Sequence, residues 1–352
     1  MVIVTLLLLC LCTFVLVKSS DKFVEAASRI AKYFGVSEFV IGLTIVAIGT
    51  SLPELASSVT ASFAGTTELA VGTVIGSNIA NIGLLIGLSA LAMTIHMSRK
   101  AFLRDCSVMV WVASLFYFLS LDGSISRLEG LLLLALLPAY AAMLLRFRPK
   151  LGKNLYDLKG YVIKMYTHSH RHLRKITDIR KYPQLVSKAT SMETYKSKFG
   201  EGIAKDVILL AAACFMIYIS AKYLVQFAVE LALFMGVTNN VIGATLIAVG
   251  TSLPELSVSI SSIRKGYVNI LVGNIVGSNI FNILLVAGTA SLIAPLNILA
   301  STIFVSLPFM MLMAVALFAY TALDKKLGKL SGAALIGMYS VFVYMIVNIG
   351  RI

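Results

Sequence analysis

A heptapeptide that occurs twice constrains this chain more than any other feature. The sequence Gly-Thr-Ser-Leu-Pro-Glu-Leu fills residues 49–55 and returns unchanged at residues 250–256, which is 201 positions later. Both copies lie inside apolar stretches, where an ionisable side chain is costly to bury and therefore indicates function. Glu54 and Glu255 are thus the first candidate functional residues, and repetition relates them to each other.

The repetition extends beyond the heptapeptide. Residues 36–85 align without a gap on residues 237–286, and close to half of the aligned positions are identical. The matches include a Gly-Ser-Asn-Ile segment in each copy and the pair Asn81 and Asn282. Chance similarity between apolar helices reproduces Leu, Ile and Val, but it does not reproduce Pro, Glu, Gly and Asn in one register. The chain therefore contains an internal duplication.

The composition predicts an all-α polytopic membrane protein. The chain is 59% hydrophobic and 13% charged, with a mean hydropathy of +0.91, whereas soluble domains carry about 25% charged residues. Apolar segments that approach the roughly 20 residues needed to cross a bilayer recur along the sequence. The ten predicted spans are roughly 2–34, 37–63, 69–94, 101–119, 127–146, 204–235, 238–263, 267–291, 297–320 and 331–350.

These spans divide into residues 1–146, a first five-helix repeat, and residues 204–352, a second one. Because five is odd, the second repeat enters the membrane from the opposite side, which makes the two repeats inverted. Half of the 30 Lys and Arg residues fall within residues 146–205. The positive-inside rule then predicts a cytoplasmic connection at residues 147–203 and extracellular termini, in the plasma membrane.

The repeated motif predicts a break in helices two and seven. Proline lacks the N–H that a helix interior needs, and glycine adopts conformations that other residues avoid. We expect unwinding between Gly49 and Pro53 and between Gly250 and Pro254. Freed carbonyl groups at membrane depth are tolerated only when they are buried in protein or line a polar cavity. Carbonyl, hydroxyl and carboxylate oxygens should therefore converge at the two breaks.

Helices three and eight supply further oxygens, and the small Gly and Ser residues of both helices permit close backbone approach. Ser77 with Asn81, and Ser278 with Asn282, lie four residues apart and so share one helical face. No His or Cys accompanies them, and an oxygen-only site with two carboxylates suits Ca²⁺ and Na⁺ better than zinc or copper.

Other polar residues have readings outside the site. Asn78 and Asn279 could line the site or could hold helices together by hydrogen bonds, and the sequence leaves both readings open. We expect opposite charges in the first and sixth helices to form structural pairs, with Asp21, Lys22 and Lys222 as the candidates. The basic connection is expected to face anionic lipid, with its histidines in a solvated loop.

The doubled motifs resemble those of the cation/Ca²⁺ exchanger superfamily, most closely its prokaryotic Na⁺/Ca²⁺ exchanger branch. That family carries G-T-S-x-P-E on helices two and seven and G-S-N-x-x-[ND] on helices three and eight, and the resemblance covers essentially the whole chain. It implies Ca²⁺ between Glu54 and Glu255, assisted by the carbonyls of Thr50 and Thr251. The full set of implied ion ligands is Ala47, Thr50, Ser51, Glu54, Ser77, Asn81, Ala248, Thr251, Ser252, Glu255, Ser278 and Asn282.

Within that set the resemblance implies two flanking Na⁺ sites, with the two asparagines between them. One site comprises Ala47, Ser77, Ser252 and Glu255, and the other comprises Ala248, Thr251, Ser278 and Glu54. The resemblance also implies alternating access, in which the first and sixth helices slide past a fixed core, and exchange of several Na⁺ for one Ca²⁺.

Two departures bear on the counter-ion. K⁺-dependent exchangers and some prokaryotic relatives carry Asp where this chain has Asn282, so K⁺ co-transport is disfavoured. H⁺/Ca²⁺ exchangers typically carry G-N-x-x-E in place of the Gly-Thr-Ser-Leu-Pro-Glu found here, which favours Na⁺. Both remain alternatives to the Na⁺/Ca²⁺ antiporter.

Two further function classes were weighed. A passive cation channel would use the same glutamates as a filter and would pass current without a counter-ion. An intramembrane hydrolase is disfavoured because the chain lacks H-E-x-x-H, and because Ser51 has no convincing base nearby in sequence. We expect no enzymatic activity, no cofactor, no nucleic acid and no obligate protein partner. The expected partners are Ca²⁺, Na⁺ and the lipid bilayer.

Overall fold

The computed structural model describes residues 2–34, 36–96, 99–146, 183–234, 250, 252–323 and 326–349. Two expected ligands, Ala248 and Thr251, lie outside the described residues, as do residues 147–182 of the basic connection and residues 235–249. The described chain is mostly helical, which confirms the predicted class.

Eleven helices, which we number in chain order, make up the described part of the fold. In the first half they are α1 (Val2–Phe34), α2 (Glu38–Thr50), α3 (Leu52–Phe63), α4 (Thr67–Ala92), α5 (Arg99–Leu119) and α6 (Arg127–Arg146). In the second half they are α7 (Pro183–Phe234), α8 (Leu253–Arg264), α9 (Val268–Ile293), α10 (Thr302–Leu323) and α11 (Lys329–Ile349).

Among the described residues, 8 helices are long and apolar enough to cross a membrane, or 9 if the bent pair α2–α3 counts as one span. The predicted seventh span is described only from its motif onward, as α8, so ten spans remain a prediction. Helix α7 begins at Pro183, well before the predicted start at residue 204. The extra length includes Lys188, Glu193, Lys196, Lys198 and Glu201, which are residue types that form helices well even in polar surroundings.

The break between α2 and α3 is sharper than the sequence predicted. The two helices bend by 40°, and the irregular backbone is confined to Ser51, which has φ −85° and ψ 3°. The Ser51 N–H still bonds the Ala47 carbonyl at 3.0 Å. Pro53 falls in the first turn of α3, where a missing N–H costs nothing. The prediction of an unwound stretch from Gly49 to Pro53 was therefore too long. Ser252, the counterpart of Ser51 in the second copy, has nearly the same backbone conformation, with φ −92° and ψ 6°.

Four turns of π-helix interrupt the described helices, and the sequence did not predict them. They cover Gly42–Val46, Asn81–Ile86, Asn282–Ala287 and Thr302–Ser306. Two of them begin at the equivalent residues Asn81 and Asn282. Single π turns inside α-helices occur often at functional sites, because they widen the helix and redirect its side chains.

Helices α4 and α9 form the buried centre of the fold, while α1 and α11 expose most of their surface. Helix α2 crosses α9 at a backbone contact. A Cβ atom on Gly273 would collide with the Phe39 carbonyl, and one on Gly277 would collide with the Leu43 carbonyl. Small residues thus permit close helix approach on α9, as predicted. The equivalent glycines of α4 have no described atom of a neighbouring helix within 4 Å of a built Cβ.

Two short antiparallel strand pairs join the halves. Strand β1 (Ile95–His96) pairs with β4 (Lys326–Leu327), and β2 (Ser124–Ile125) pairs with β3 (Leu296–Asn297). Each pair takes one connection from each repeat. These strands were not predicted, because two-residue strands leave no periodic signal in a sequence.

Candidate functional site

The two motif glutamates occupy equivalent places in the fold. Glu54 lies in the first turn of α3 and Glu255 in the first turn of α8, where the helix dipole favours a negative charge. Their exposed fractions are 0% and 1%.

Their oxygen atoms are short of partners. The Ser77 hydroxyl donates to Glu54 Oε1 at 3.4 Å. The Glu54 Oε2 atom and both carboxylate oxygens of Glu255 have no hydrogen-bond donor among the described residues. Neither glutamate forms a described ion pair with Lys or Arg. Because an unpaired buried charge is strongly unfavourable, a bound cation is the natural complement of this arrangement.

Thr50 connects the first motif to α9. Its hydroxyl lies 3.0 Å from Asn274 Oδ1, 3.3 Å from Ser278 Oγ and 3.3 Å from the Ala47 carbonyl oxygen. A hydroxyl donates one hydrogen at a time, so Thr50 donates to either Asn274 or Ala47, and the Ser278 hydroxyl can in turn donate to Thr50. The contacts bring Ala47, Thr50 and Ser278 together, whereas the resemblance implies different Na⁺ sites for Ala47 and Ser278. Asn274 was missed, although an Asn directly after Gly273 in so apolar a helix was a usable signal.

A chain of amides links α4 to α9. Asn282 Nδ2 donates to Asn78 Oδ1 at 3.1 Å, and Asn78 Nδ2 donates to the Asn279 carbonyl at 3.1 Å. Asn78 thus has a helix-packing role, which was one of its two readings. Asn81 differs, since neither its Oδ1 nor its Nδ2 has a partner among the described residues. The side-chain Oδ1 atom of Asn282 likewise has no hydrogen-bond partner among the described residues.

The remaining expected ligands divide into two groups. Ser51 and Ser252 are buried at the breaks, and their hydroxyls have no described partner. Ala248 and Thr251 lie outside the described residues. In addition, the Cys214 thiol of α7 donates to the Gly49 carbonyl at 3.2 Å, a contact that the sequence did not predict.

The donor set consists of hard oxygen atoms. The described part of the chain contains no cluster of three or more His, Cys, Asp or Glu side chains that could together hold a metal ion. Carboxylate, hydroxyl, amide and carbonyl oxygens of this kind fit Ca²⁺ or Na⁺, whereas zinc and copper favour nitrogen and sulfur ligands.

The three charged side chains expected to pair between the first and sixth helices do not pair with one another in the structure. Asp21 accepts a hydrogen bond from Ser261 of α8 at 2.7 Å, and Lys22 pairs with Glu25 at 3.3 Å. Lys222 forms no ion pair with a described residue. Opposite charges of α1 and α7 do pair, but at Arg29 and Asp206, which lie 2.7 Å apart. The pairing expected at Asp21 and Lys222 was wrong, because Asp21 instead bonds Ser261 of α8.

Comparisons with known proteins agree with this chemistry. The family model described as sodium/calcium exchanger protein matches residues 4–146 and 205–348. The sodium/calcium exchanger MaX1 of Methanosarcina acetivorans is 37% identical over 348 residues, which cover 98% of this chain and 99% of that protein. The inner membrane protein YrbG of Escherichia coli is 35% identical over 279 residues, covering 79% of this chain and 77% of YrbG.

Solved structures agree as well. A structure of the sodium-calcium exchanger NCX_Mj, soaked with zero Na⁺ and Ca²⁺, matches with a TM-score of 0.78 at 28% sequence identity, and the match covers 98% of this chain and 99% of that one. The residues matched by the family model cover both halves of the chain and include both motifs and all four strands. The chain belongs to the sodium/calcium exchanger family, whose members are membrane transporters and not enzymes.

Proposed function

We propose that this protein is an electrogenic Na⁺/Ca²⁺ antiporter whose transport site is built on Glu54 and Glu255. The observation that carries the proposal is the pair of fully buried carboxyl groups, one in each copy of the motif, which have three oxygen atoms without a hydrogen-bond donor among the described residues. With about three Na⁺ exchanged for each Ca²⁺, every cycle moves one net charge, worth about 2.3 kcal/mol per 100 mV.

In this proposal Ca²⁺ lies between the two carboxylates and is also coordinated by the carbonyl oxygens of Thr50 and Thr251. Its double positive charge neutralises both glutamates. When Ca²⁺ leaves, the buried negative charges need another complement. Several Na⁺ ions supply it, and this electrostatic requirement couples the two ions.

The Na⁺ ions occupy sites on either side of the Ca²⁺ position. One site uses Ala47, Ser77, Ser252 and Glu255, and the other uses Ala248, Thr251, Ser278 and Glu54, with Asn81 and Asn282 lining the space between them. The hydroxyls of Ser51 and Ser252 and the side-chain amide of Asn81 have no hydrogen-bond partner among the described residues. Their oxygen atoms are therefore available as ion ligands, which supports the proposed sites.

The strand pairs support two inverted five-helix repeats, residues 1–146 and 204–352. Strands β1 and β3 are equivalent in the duplication, and so are their partners β4 and β2. Each strand thus pairs with the connection that follows one helix later in the opposite repeat. Two successive connections lie on opposite membrane faces, so this pairing is possible only if the two repeats have opposite orientations. The basic connections then face the cytoplasm, with both termini outside the plasma membrane.

The test is ion flux in proteoliposomes that contain the purified full chain. Vesicles loaded with Na⁺ should take up ⁴⁵Ca²⁺ from a Na⁺-free medium, and an inside-positive potential should accelerate that uptake. Vesicles loaded with choline are the control. Uptake driven by a pH gradient alone, or uptake that requires K⁺, would replace the proposal with one of its two alternatives. Current without any counter-ion would indicate a channel.

A further inference from the structure

The duplication creates two equivalent interfaces beside the candidate site. Helix α1 of the first repeat lies against α8 of the second, and α7 of the second repeat lies beside α3 of the first. The offset of 201 residues relates the two interfaces position by position, so each residue of one has a counterpart in the other.

Three hydrogen-bonded pairs close the interface between α1 and α8. They are Ser20 to Ser257 at 2.8 Å, Ser261 to Asp21 at 2.7 Å, and Lys265 to Glu25 at 2.7 Å. We call these three pairs the polar seam. Lys265 lies just beyond the end of α8, and its hydrogen bond to the Glu25 carboxylate raises the pKa of its ammonium group. The outermost pair is therefore a salt bridge at neutral pH.

The counterparts of these residues make none of the equivalent bonds at the interface between α7 and α3. The counterpart pairs are Ala221 with Ala56, Lys222 with Thr60, and Gln226 with Ala64. The alanines have no polar atoms beyond the backbone. Thr60 bonds the Ala56 carbonyl of its own helix, and Gln226 bonds Glu230 of its own helix.

A groove of about 550 Å³ lies where the second seam would be. Its lining includes Ala56, Thr60 and Lys222 along its walls, and Pro53 and Pro254 at the two motifs. It thus reaches from the surface to the place where both breaks meet.

Burial shows the same asymmetry. Ala56, Ser57 and Thr60 of α3 are exposed. Their counterparts Ser257, Val258 and Ser261 of α8 are 8%, 0% and 2% exposed. One repeat therefore leaves this helix face exposed, while the other repeat buries it against a neighbouring helix.

We propose that the polar seam is a latch that closes the access path between α1 and α8, and that its absence from the duplicated interface biases the resting exchanger toward an open groove between α3 and α7. The inference rests on the proposed function, because an access path matters only if ions are carried to the site. In the proposed orientation the groove opens to the outside and the seam faces the cytoplasm.

Two equivalent reporter positions test the latch. Ser57→Cys and Val258→Cys are introduced singly into full-length protein whose four native cysteines are replaced by alanine. The membrane-impermeant reagent 2-(trimethylammonium)ethyl methanethiosulfonate, whose quaternary ammonium group has a fixed charge, is then applied from either side of proteoliposomes. We expect Ser57→Cys to react from one side only and Val258→Cys to be protected. Equal reactivity at the two positions would overturn the proposal.

The latch is then removed by giving α8 the residues of α3, with Ser257→Ala, Ser261→Thr and Lys265→Ala combined. None of these residues is an expected ligand. Labelling of Val258→Cys should rise, and labelling of Ser57→Cys should fall, each on the order of tenfold, a shift within reach of one or two lost hydrogen bonds.

A reciprocal graft keeps the native seam and so protects the test against a folding defect. It builds two of the three pairs into the groove, through Ala56→Ser with Ala221→Ser and Ala64→Lys with Gln226→Glu. Labelling of Ser57→Cys should again fall on the order of tenfold, by the same reasoning on hydrogen bonds. Unchanged labelling of Ser57→Cys in both the latch-free and the grafted proteins would refute the latch. Thiol labelling reports which path is open and not which ion drives flux, so it can fail while the Na⁺-dependent ⁴⁵Ca²⁺ uptake succeeds, and the reverse.

Discussion

The two copies of the motif share every residue, yet their side chains are connected differently. In the first copy, Ser77 donates to Glu54. The equivalent bond from Ser278 to Glu255 is absent from the described contacts, and Ser278 instead lies 3.3 Å from the Thr50 hydroxyl of the first copy. Glu255 is therefore the less satisfied of the two carboxylates in the described part of the chain.

A residue outside the motif accounts for part of this difference. Asn274 accepts the Thr50 hydroxyl, whereas its counterpart Thr73 donates to the Leu69 carbonyl of its own helix. The duplicated motif thus supplies the same oxygen atoms twice, and neighbouring residues decide how those atoms are oriented. Four substitutions probe this comparison, and they are given in order of decreasing expected effect.

The first substitution removes one carboxylate at a time. Glu54→Gln and Glu255→Gln should each reduce Na⁺-dependent ⁴⁵Ca²⁺ uptake to background, because either change removes half of the charge that holds the divalent ion. Folding should survive, since an unpaired buried charge is itself unfavourable. Glu68→Gln, at the start of α4 and outside the site, is the matched control. Normal uptake in either variant would remove that glutamate from the site.

The second substitution tests the crossing of α2 over α9. Gly273→Ala should destabilise the protein by about 1–3 kcal/mol, the usual cost of overpacking a tight contact, because the new methyl group meets the Phe39 carbonyl. A lower melting temperature in detergent would report this effect. Gly337→Ala in α11 is the control, since a Cβ there meets nothing within 4 Å. Equal melting temperatures for the two variants would show that the crossing is looser than described.

The third substitution makes the two copies alike. Asn274→Thr gives the second repeat the residue of the first and removes the acceptor of the Thr50 hydroxyl. We expect a loss of about 0.5–1.5 kcal/mol, typical of one hydrogen bond, which would appear as a severalfold weaker apparent Na⁺ or Ca²⁺ affinity in flux assays. The reciprocal change Thr73→Asn should leave affinity unchanged. An unaltered affinity in Asn274→Thr would mean that Thr50 is oriented by other contacts.

Much of this organisation was accessible from the sequence, because apolar length, charge distribution and exact repetition are strong signals. They predicted the helices, the buried glutamates and the glycine contact at Gly273. The signals for the rest are weaker. A π turn at Asn81 depends on backbone hydrogen bonds that no residue pattern specifies, and the hydrogen bond from Thr50 to Asn274 joins positions 224 residues apart. The break at Ser51 was predicted in place but overestimated in length, because proline fits the first turn of a new helix.

The fourth substitution has the smallest expected effect. Asn282→Asp introduces a titratable group and removes the donor to Asn78, so transport should persist with an altered pH or K⁺ dependence. Asn81→Asp adds the same group without losing a described hydrogen bond. Comparison of the two pH profiles separates the added charge from the lost bond. Profiles identical to that of the unmodified protein in both variants would exclude these asparagines from the ion path.

The two short strand pairs have a consequence for assembly. Strand β1 is held by β4 and β2 by β3, so backbone hydrogen bonds clasp the repeats together at two places remote from the covalent link between them. Co-expressed fragments ending and beginning within residues 147–182 should therefore find each other in the bilayer and co-purify. Such a split exchanger would allow each half to be labelled with a different isotope or fluorophore.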